Sequence, residues 1–98
     1  MSKFNELISG DKPVLVDFHA DWCGPCKTMA PILEASKKVL GDKVRVIKVD
    51  VDKNQAVSMK YRIQGIPTLI LFKNGEIMWR QSGVVPSELI NQKVLSLS

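Results

Sequence analysis

Val14-Leu15-Val16-Asp17-Phe18 is apolar at four of five positions, with no alternation between apolar and polar side chains. A strand covered on one face alternates; a run that is apolar at both parities belongs to a strand covered on both. This predicts a sheet with helices on its two faces, and the flanking pattern supplies them. Phe4, Leu7 and Ile8 lie at helical spacing in a short segment that Ser2 can cap and Ser9-Gly10-Asp11 ends. Beyond the strand, Met29, Ile32, Leu33 and Ser36 to Leu40 read as a longer helix stopped by Gly41-Asp42, with Pro31 inside it removing a hydrogen bond and expected to kink it.

Val44-Arg45-Val46-Ile47-Lys48-Val49 is a second strand, followed by a helical stretch from about 54 to 61. Thr68-Leu69-Ile70-Leu71-Phe72 is a third strand, and Asn74-Gly75 is a hairpin signal leading into Ile77-Met78-Trp79-Arg80. Pro86 and Ser87 open a terminal helix with Leu89, Ile90, Val94 and Leu97. The order α, β, α, β, α, β, β, α predicts an α/β fold. Its first two strands are parallel through a right-handed crossover and its last two antiparallel, giving a mixed sheet of four strands. With 98 residues and no internal repeat or linker, the chain reads as one domain, 1–98.

Composition excludes several functions. An apolar share of 45% and a charged share of 24% fit a packed globular domain rather than a disordered chain. No apolar run approaches the roughly 18 residues a membrane helix needs, and the start of the chain has no apolar stretch after Lys3, so neither a membrane span nor a signal peptide is expected and the location predicted is cytoplasmic. The net charge of +4 comes from lysines scattered along the chain rather than gathered in a patch, which argues against nucleic acid as a partner.

The strongest chemical signal is Trp22-Cys23-Gly24-Pro25-Cys26, between the first strand and the helix that follows. The first turn of a helix offers unpaired N–H groups and the positive end of its dipole, which favour a thiolate over a thiol. Cys23, at the start, gains most; Cys26, one turn further in, is expected to be the more shielded. The arrangement suits thiol–disulfide exchange, in which an exposed thiolate attacks a disulfide and a second thiol resolves the mixed disulfide. A zinc site lacks ligands, since His19 is the only histidine and there are no further cysteines. Haem attachment needs histidine after the second cysteine, where Lys27 stands. A purely structural disulfide over so short a loop removes little chain entropy. A hydrolase using Cys23 with His19 as base leaves Cys26 unexplained.

Asp17 and Lys48 place charges inside two neighbouring apolar strands. Asp17 shares a face with Leu15 and His19, and Lys48 with Val44 and Val46. Two buried charges are costly apart, so the two are expected near each other, with Asp17 a candidate general acid/base for Cys26 and Lys48 its modulator. The alternative is a Lys48 that reaches out to solvent and an Asp17 at a wet end of the sheet.

Taken together, these residues resemble the thioredoxin family over almost the whole chain. The resemblance rests on Asp17, the Trp22–Cys26 motif, Lys27, Ala30-Pro31, Lys48, Asp52, Gly65-Ile66-Pro67-Thr68, Phe72, Asn74-Gly75 and Gly83, at the family's mutual spacings. It implies a thioredoxin fold and a protein disulfide reductase with Cys23 as nucleophile and Cys26 as resolving thiol, requiring no cofactor or metal. Disulfide-containing proteins would be the substrates and thioredoxin reductase the electron donor, and the protein would act as a monomer. It also implies a cis Ile66-Pro67 peptide and a flat apolar docking surface of Trp22, Gly24, Pro25, Gly65, Ile66, Pro67, Gly83 and Val84. Gly24-Pro25 between the cysteines is the pair of reducing members; oxidase or isomerase activity is the runner-up, and a scaffold subunit the alternative outside enzymology.

Three positions depart from the family: His19 where an aromatic is common, Ser82 where the residue is often apolar, and Trp79 on a strand expected at the sheet edge. His19 reads first as a packing or hydrogen-bonding residue, with tuning of the redox couple as the sharper option. Ser82 is expected to make its rim of the docking surface more polar. Trp79 either covers the sheet or meets a partner. About twelve residues precede Val14 and read as helix, so the family's extra first strand is expected to be absent and the Val44–Val49 strand to be an edge.

Overall fold

A computed structural model describes residues 2–97. Four helices and four strands follow one another as α1 (Ser2–Ile8), β1 (Val14–His19), α2 (Gly24–Leu40), β2 (Arg45–Asp50), α3 (Gln55–Lys60), β3 (Thr68–Lys73), β4 (Glu76–Ser82) and α4 (Ser87–Leu95), with a 3-10 turn at Gly41–Lys43. The strands form one sheet in the order β2-β1-β3-β4, with β1 parallel to β2 and the other neighbours antiparallel. Among the described residues no strand precedes Val14, and β2 is an edge. The cap expected from Ser2 rests on a side chain outside those described.

The unbroken apolar character of β1 and β3 follows from their central position. Leu15, Leu69 and Leu71 pack under Met29 and Leu33 of α2 and Ile90 and Val94 of α4. Val14, Val16, Phe18, Ile70 and Phe72 face the other way, onto Phe4 and Ile8 of α1 and Val57 of α3. Tyr61 completes that second layer, edge-on to Phe72 with ring centroids 5.4 Å apart. The edge strand β4 is mostly exposed. Its Trp79 packs against the α2/α4 layer, so the ring covers the sheet.

Helix α2 runs through Pro31 as one continuous helix of 17 residues. Gly41 accepts the chain reversal at its end with φ 57°, and its N–H donates to the Lys37 carbonyl. The β3–β4 turn forms at Asn74-Gly75, with φ of 54° and 77°, the left-handed pair that a two-residue hairpin demands. The N–H groups of these two residues donate to the carbonyls of Gly10 and Ile8, at 2.8 and 3.1 Å, which ties the hairpin to the end of α1. A register shift between Leu71 and Phe72 bulges β4, leaving Met78 and Ile77 half exposed while Trp79 still faces the core.

Candidate active site

The end of β1 nearest α2 delivers the cysteines. Cys23 is the N-cap of α2 in extended conformation, and its sulfur accepts the Cys26 N–H at 3.1 Å. A helix N-terminus leaves its first N–H groups without partners. Here one of them is aimed at the Cys23 sulfur, which is the geometry that favours a thiolate. Pro25, with no N–H to satisfy, fits the first turn between them. The two sulfurs form a disulfide, with Cα atoms 5.3 Å apart.

The expected difference in shielding does not occur. Cys23 is 3% exposed and Cys26 7%, so the first cysteine is no more open than the second. The cause is tertiary: both pack with Ala20, Val51 and Ile66, and Cys23 Sγ lies 3.7 Å from the Ile66 carbonyl oxygen. Ile66 precedes a cis Pro67. The Pro67 carbonyl accepts the Gly83 N–H at 2.8 Å, and Gly83 has φ 89°, a conformation that favours glycine, so the two loops beside the cysteines are joined. Thr68 Oγ1 donates to the Gly65 carbonyl and lies 3.0 Å from Ser82 Oγ. Ser82 thus belongs to a hydroxyl pair that braces this loop.

Of the residues expected to form the docking surface, Trp22 is 70% exposed and Val84 43%, while Gly24, Pro25 and Gly65 are also exposed. Ile66 and Gly83 are half-buried, and Pro67 is buried beneath them. A Cβ added at Gly24 or Gly65 would meet nothing within 4 Å, and neither glycine has a positive φ, so packing and backbone leave both positions free. Trp22 is anchored despite its exposure, because its Nε1–H donates to Asp52 Oδ2 at 2.8 Å. Asp52 is held in the turn after β2, where its N–H donates to Asp50 Oδ1 at 2.9 Å.

Beneath the cysteines, Asp17 and Lys48 are direct register partners across β1 and β2. Asp17 is buried, 2% exposed, and its Oδ1 has no hydrogen-bond partner among the described residues. Lys48 is exposed, and among those residues no ion pair joins the two. Each expectation from the sequence is therefore half right: the acid is buried, and the lysine reaches out from an edge strand that has water on one side. Burial holds the Asp17 carboxyl above the usual carboxylate range, against the smaller opposing pull of His19 and then Lys48. A cavity of about 190 Å³ has Asp17, His19, Cys26, Lys27 and Lys48 in its walls. Water has room there, since one molecule occupies about 30 Å³ of liquid.

Two features have no signature in the sequence. Val51, Met59 and Ile63 line a hollow of about 500 Å³ adjoining the cysteine cluster through Val51, with Met59 exposed on its rim. Arg80 of β4 donates to the carbonyls of Tyr61 and Arg62, closing the α3–β3 loop over the sheet. The hollow lies within one stretch, 51–64, whose apolar residues read as one more helical stretch, and the Arg80 contacts join residues 18 and 19 apart in sequence, which leave no local pattern. Among the described residues no group of three His, Cys, Asp or Glu could hold a metal ion, and no helix is long and apolar enough to cross a membrane.

Residues 1–96 match the sequence model of the thioredoxin family. Thioredoxin Y of rice (Oryza sativa subsp. japonica), a chloroplastic protein, is 45% identical over 96 residues, which are 97% of this chain and 57% of the rice protein, so the chain spans little more than half of that relative. Thioredoxin of the bacterium Alicyclobacillus acidocaldarius is 46% identical, over 95% of this chain and 89% of its own length. Among solved structures, thioredoxin of Malassezia sympodialis superposes with a TM-score of 0.88 at 37% identity, covering 99% of this chain and 88% of the other.

Proposed function

Since the chain belongs to the thioredoxin family, whose cysteine couple makes it a thiol–disulfide oxidoreductase, we propose that it works in the reducing direction, as a carrier that opens disulfides in other proteins. The observation that carries the reading is the Cys26 N–H directed at Cys23 Sγ, in a helix start that holds glycine and proline between the cysteines and no histidine. Helix-end N–H groups stabilise the Cys23 thiolate enough to make it the attacking sulfur, and no cation between the cysteines stabilises the dithiol further, so the couple retains reducing strength.

The reaction runs in two exchanges. The Cys23 thiolate attacks one sulfur of a substrate disulfide, and the other substrate sulfur leaves as a thiolate. Cys26 then gives its proton to the Asp17 carboxylate across the cavity between them, and the resulting thiolate attacks Cys23. The bond from Cys23 to the substrate breaks, the second substrate sulfur leaves with the electron pair and takes up a proton, and the Cys23–Cys26 disulfide remains. Lys48, in register with Asp17, weakens the cost of its charge from the solvent side. Trp22, Gly24, Pro25, Gly65, Ile66, Pro67, Gly83 and Val84 form the surface on which the substrate chain lies, and the absence of side chains at Gly24 and Gly65 keeps it flat. We assign the electron donor to the thioredoxin reductase class and the working form to a cytoplasmic monomer.

Reduction of insulin by dithiothreitol, followed as turbidity, tests the reading. Wild type accelerates precipitation, Cys23→Ser abolishes the acceleration, and Cys26→Ser accumulates a mixed disulfide with insulin chains. Equal rates with and without protein, or full activity in Cys23→Ser, overturn it.

A further inference from the structure

His19 lines the cavity shared by Asp17 and Cys26, yet the two exchanges leave it without a task. It follows Asp17 by two residues on β1, so both side chains lie on the same face of the strand, and it is half-buried where Lys48 and Lys27 are exposed. We propose that His19 is a positioning residue for the resolving step: its protonated imidazole holds the Asp17 carboxyl in the ionised form that takes the proton from Cys26. This inference rests on the reductase reading.

The Asp17 Oδ1 atom is buried and has no hydrogen-bond donor among the described residues, so its charge depends on cations nearby. Lys48 is the cation in register, but it stands in solvent, where water weakens its field. Lys27, on the first turns of α2, is exposed as well. His19 alone among the three is partly withdrawn from water and on the same strand as the acid. The other charged groups around it are Asp21, exposed in the loop to α2, and Asp50, its register partner on β2. The Asp50 carboxylate is engaged by the Asp52 N–H in its own turn. The β3 residues Thr68 and Leu69, which pair with Phe18 and Asp17, bring no ionisable group to this end of the sheet. Coulombic attraction to His19 is the larger of the two forces that oppose the effect of burial on Asp17, ahead of Lys48.

Imidazole side chains in general take up their proton between about pH 8 and pH 5. In that range a buried acid tends to hold its own proton and cannot receive another, and the imidazolium counters this by favouring the carboxylate. On the alkaline side of that range an imidazole brings no charge to favour the carboxylate. The contribution of His19 to resolution is thus confined to low pH, which a packing role is not.

The resolving rate of wild type, His19→Gln and Asp17→Asn, measured by stopped flow on a disulfide-linked fluorescent peptide from pH 5.5 to 8.5, tests this. His19→Gln resolves about fivefold more slowly than wild type at pH 6 and within about twofold at pH 8.5, the loss expected of one charge interaction in a partly screened site. In the Asp17→Asn background, His19→Gln adds no pH-dependent loss. Carboxyl NMR of Asp17 in the oxidised protein gives a readout independent of turnover: its titration moves to higher pH in His19→Gln. A loss that is the same at every pH, or an Asp17 titration that does not move, overturns the role of His19 while leaving the reductase reading standing. A wild type that forms no mixed disulfide overturns both.

Discussion

Asp17→Asn removes a charge from a site that does little to compensate it, and the prediction is a more stable protein with slower chemistry. Asp17 is 2% exposed, its Oδ1 lacks a hydrogen-bond partner among the described residues, and its register partner Lys48 stands in solvent without forming an ion pair. An acid whose folded pKa lies above its unfolded one is protonated in both states below about pH 3.5, and there it costs nothing. The cost grows as pH rises through the raised folded pKa and is complete above it. A buried polar group left without a partner costs about 1–3 kcal/mol, and more when it is charged. Asparagine keeps the shape and part of the unmet polarity, so the net gain expected is about 2 kcal/mol at pH 8 and near zero at pH 3.5. In a domain of this size that raises Tm by roughly 10 °C at pH 8. Urea unfolding of the two oxidised proteins at both pH values measures it. A gain of equal size at pH 3.5 and pH 8, or none at pH 8, refutes the idea that a buried, poorly compensated carboxylate is what the fold tolerates here.

Lys48→Met tests the other half of the pair: with its ammonium in solvent, stability changes by less than about 0.5 kcal/mol, which the same urea experiments read. Trp22→Ala removes a ring that is mostly exposed and whose indole N–H donates to Asp52, so Tm falls by a few degrees at most while KM for insulin rises, separating substrate docking from folding. Phe72→Ala empties the layer under α1 and Tyr61 and costs about 3–5 kcal/mol, seen as a lowered urea midpoint with unchanged slope.

Much of this fold is written locally. Val14 to Phe18 and Thr68 to Phe72 are apolar at both parities because β1 and β3 are the two central strands, and the pattern carries that information without reference to the rest of the chain. Asn74-Gly75 specifies its hairpin through the left-handed backbone only such residues accept readily. The Asp17 and Lys48 register follows from two charges in adjacent apolar strands, and their unequal exposure follows from β2 being the edge that the short stretch before Val14 predicts. The shielding of Cys23 departs from expectation: its helix position is local, whereas the Ile66 loop that covers it arrives from 43 residues away. The clasp of Arg80 on Tyr61 and Arg62 likewise exists only once distant elements meet.

The direction of electron flow is the central claim, and the reduction potential of the Cys23–Cys26 couple tests it most directly. Glutathione-buffered equilibration followed by trapping of the thiols measures it. Disulfide isomerases and oxidants of this superfamily stand at about −180 mV and above, while thioredoxins themselves define the reducing end near about −270 mV. A reductase of the kind proposed has a value below about −230 mV, on the reducing side of both the isomerases and the glutaredoxins. A value above about −180 mV makes the couple an oxidant of thiols and contradicts the reducing role.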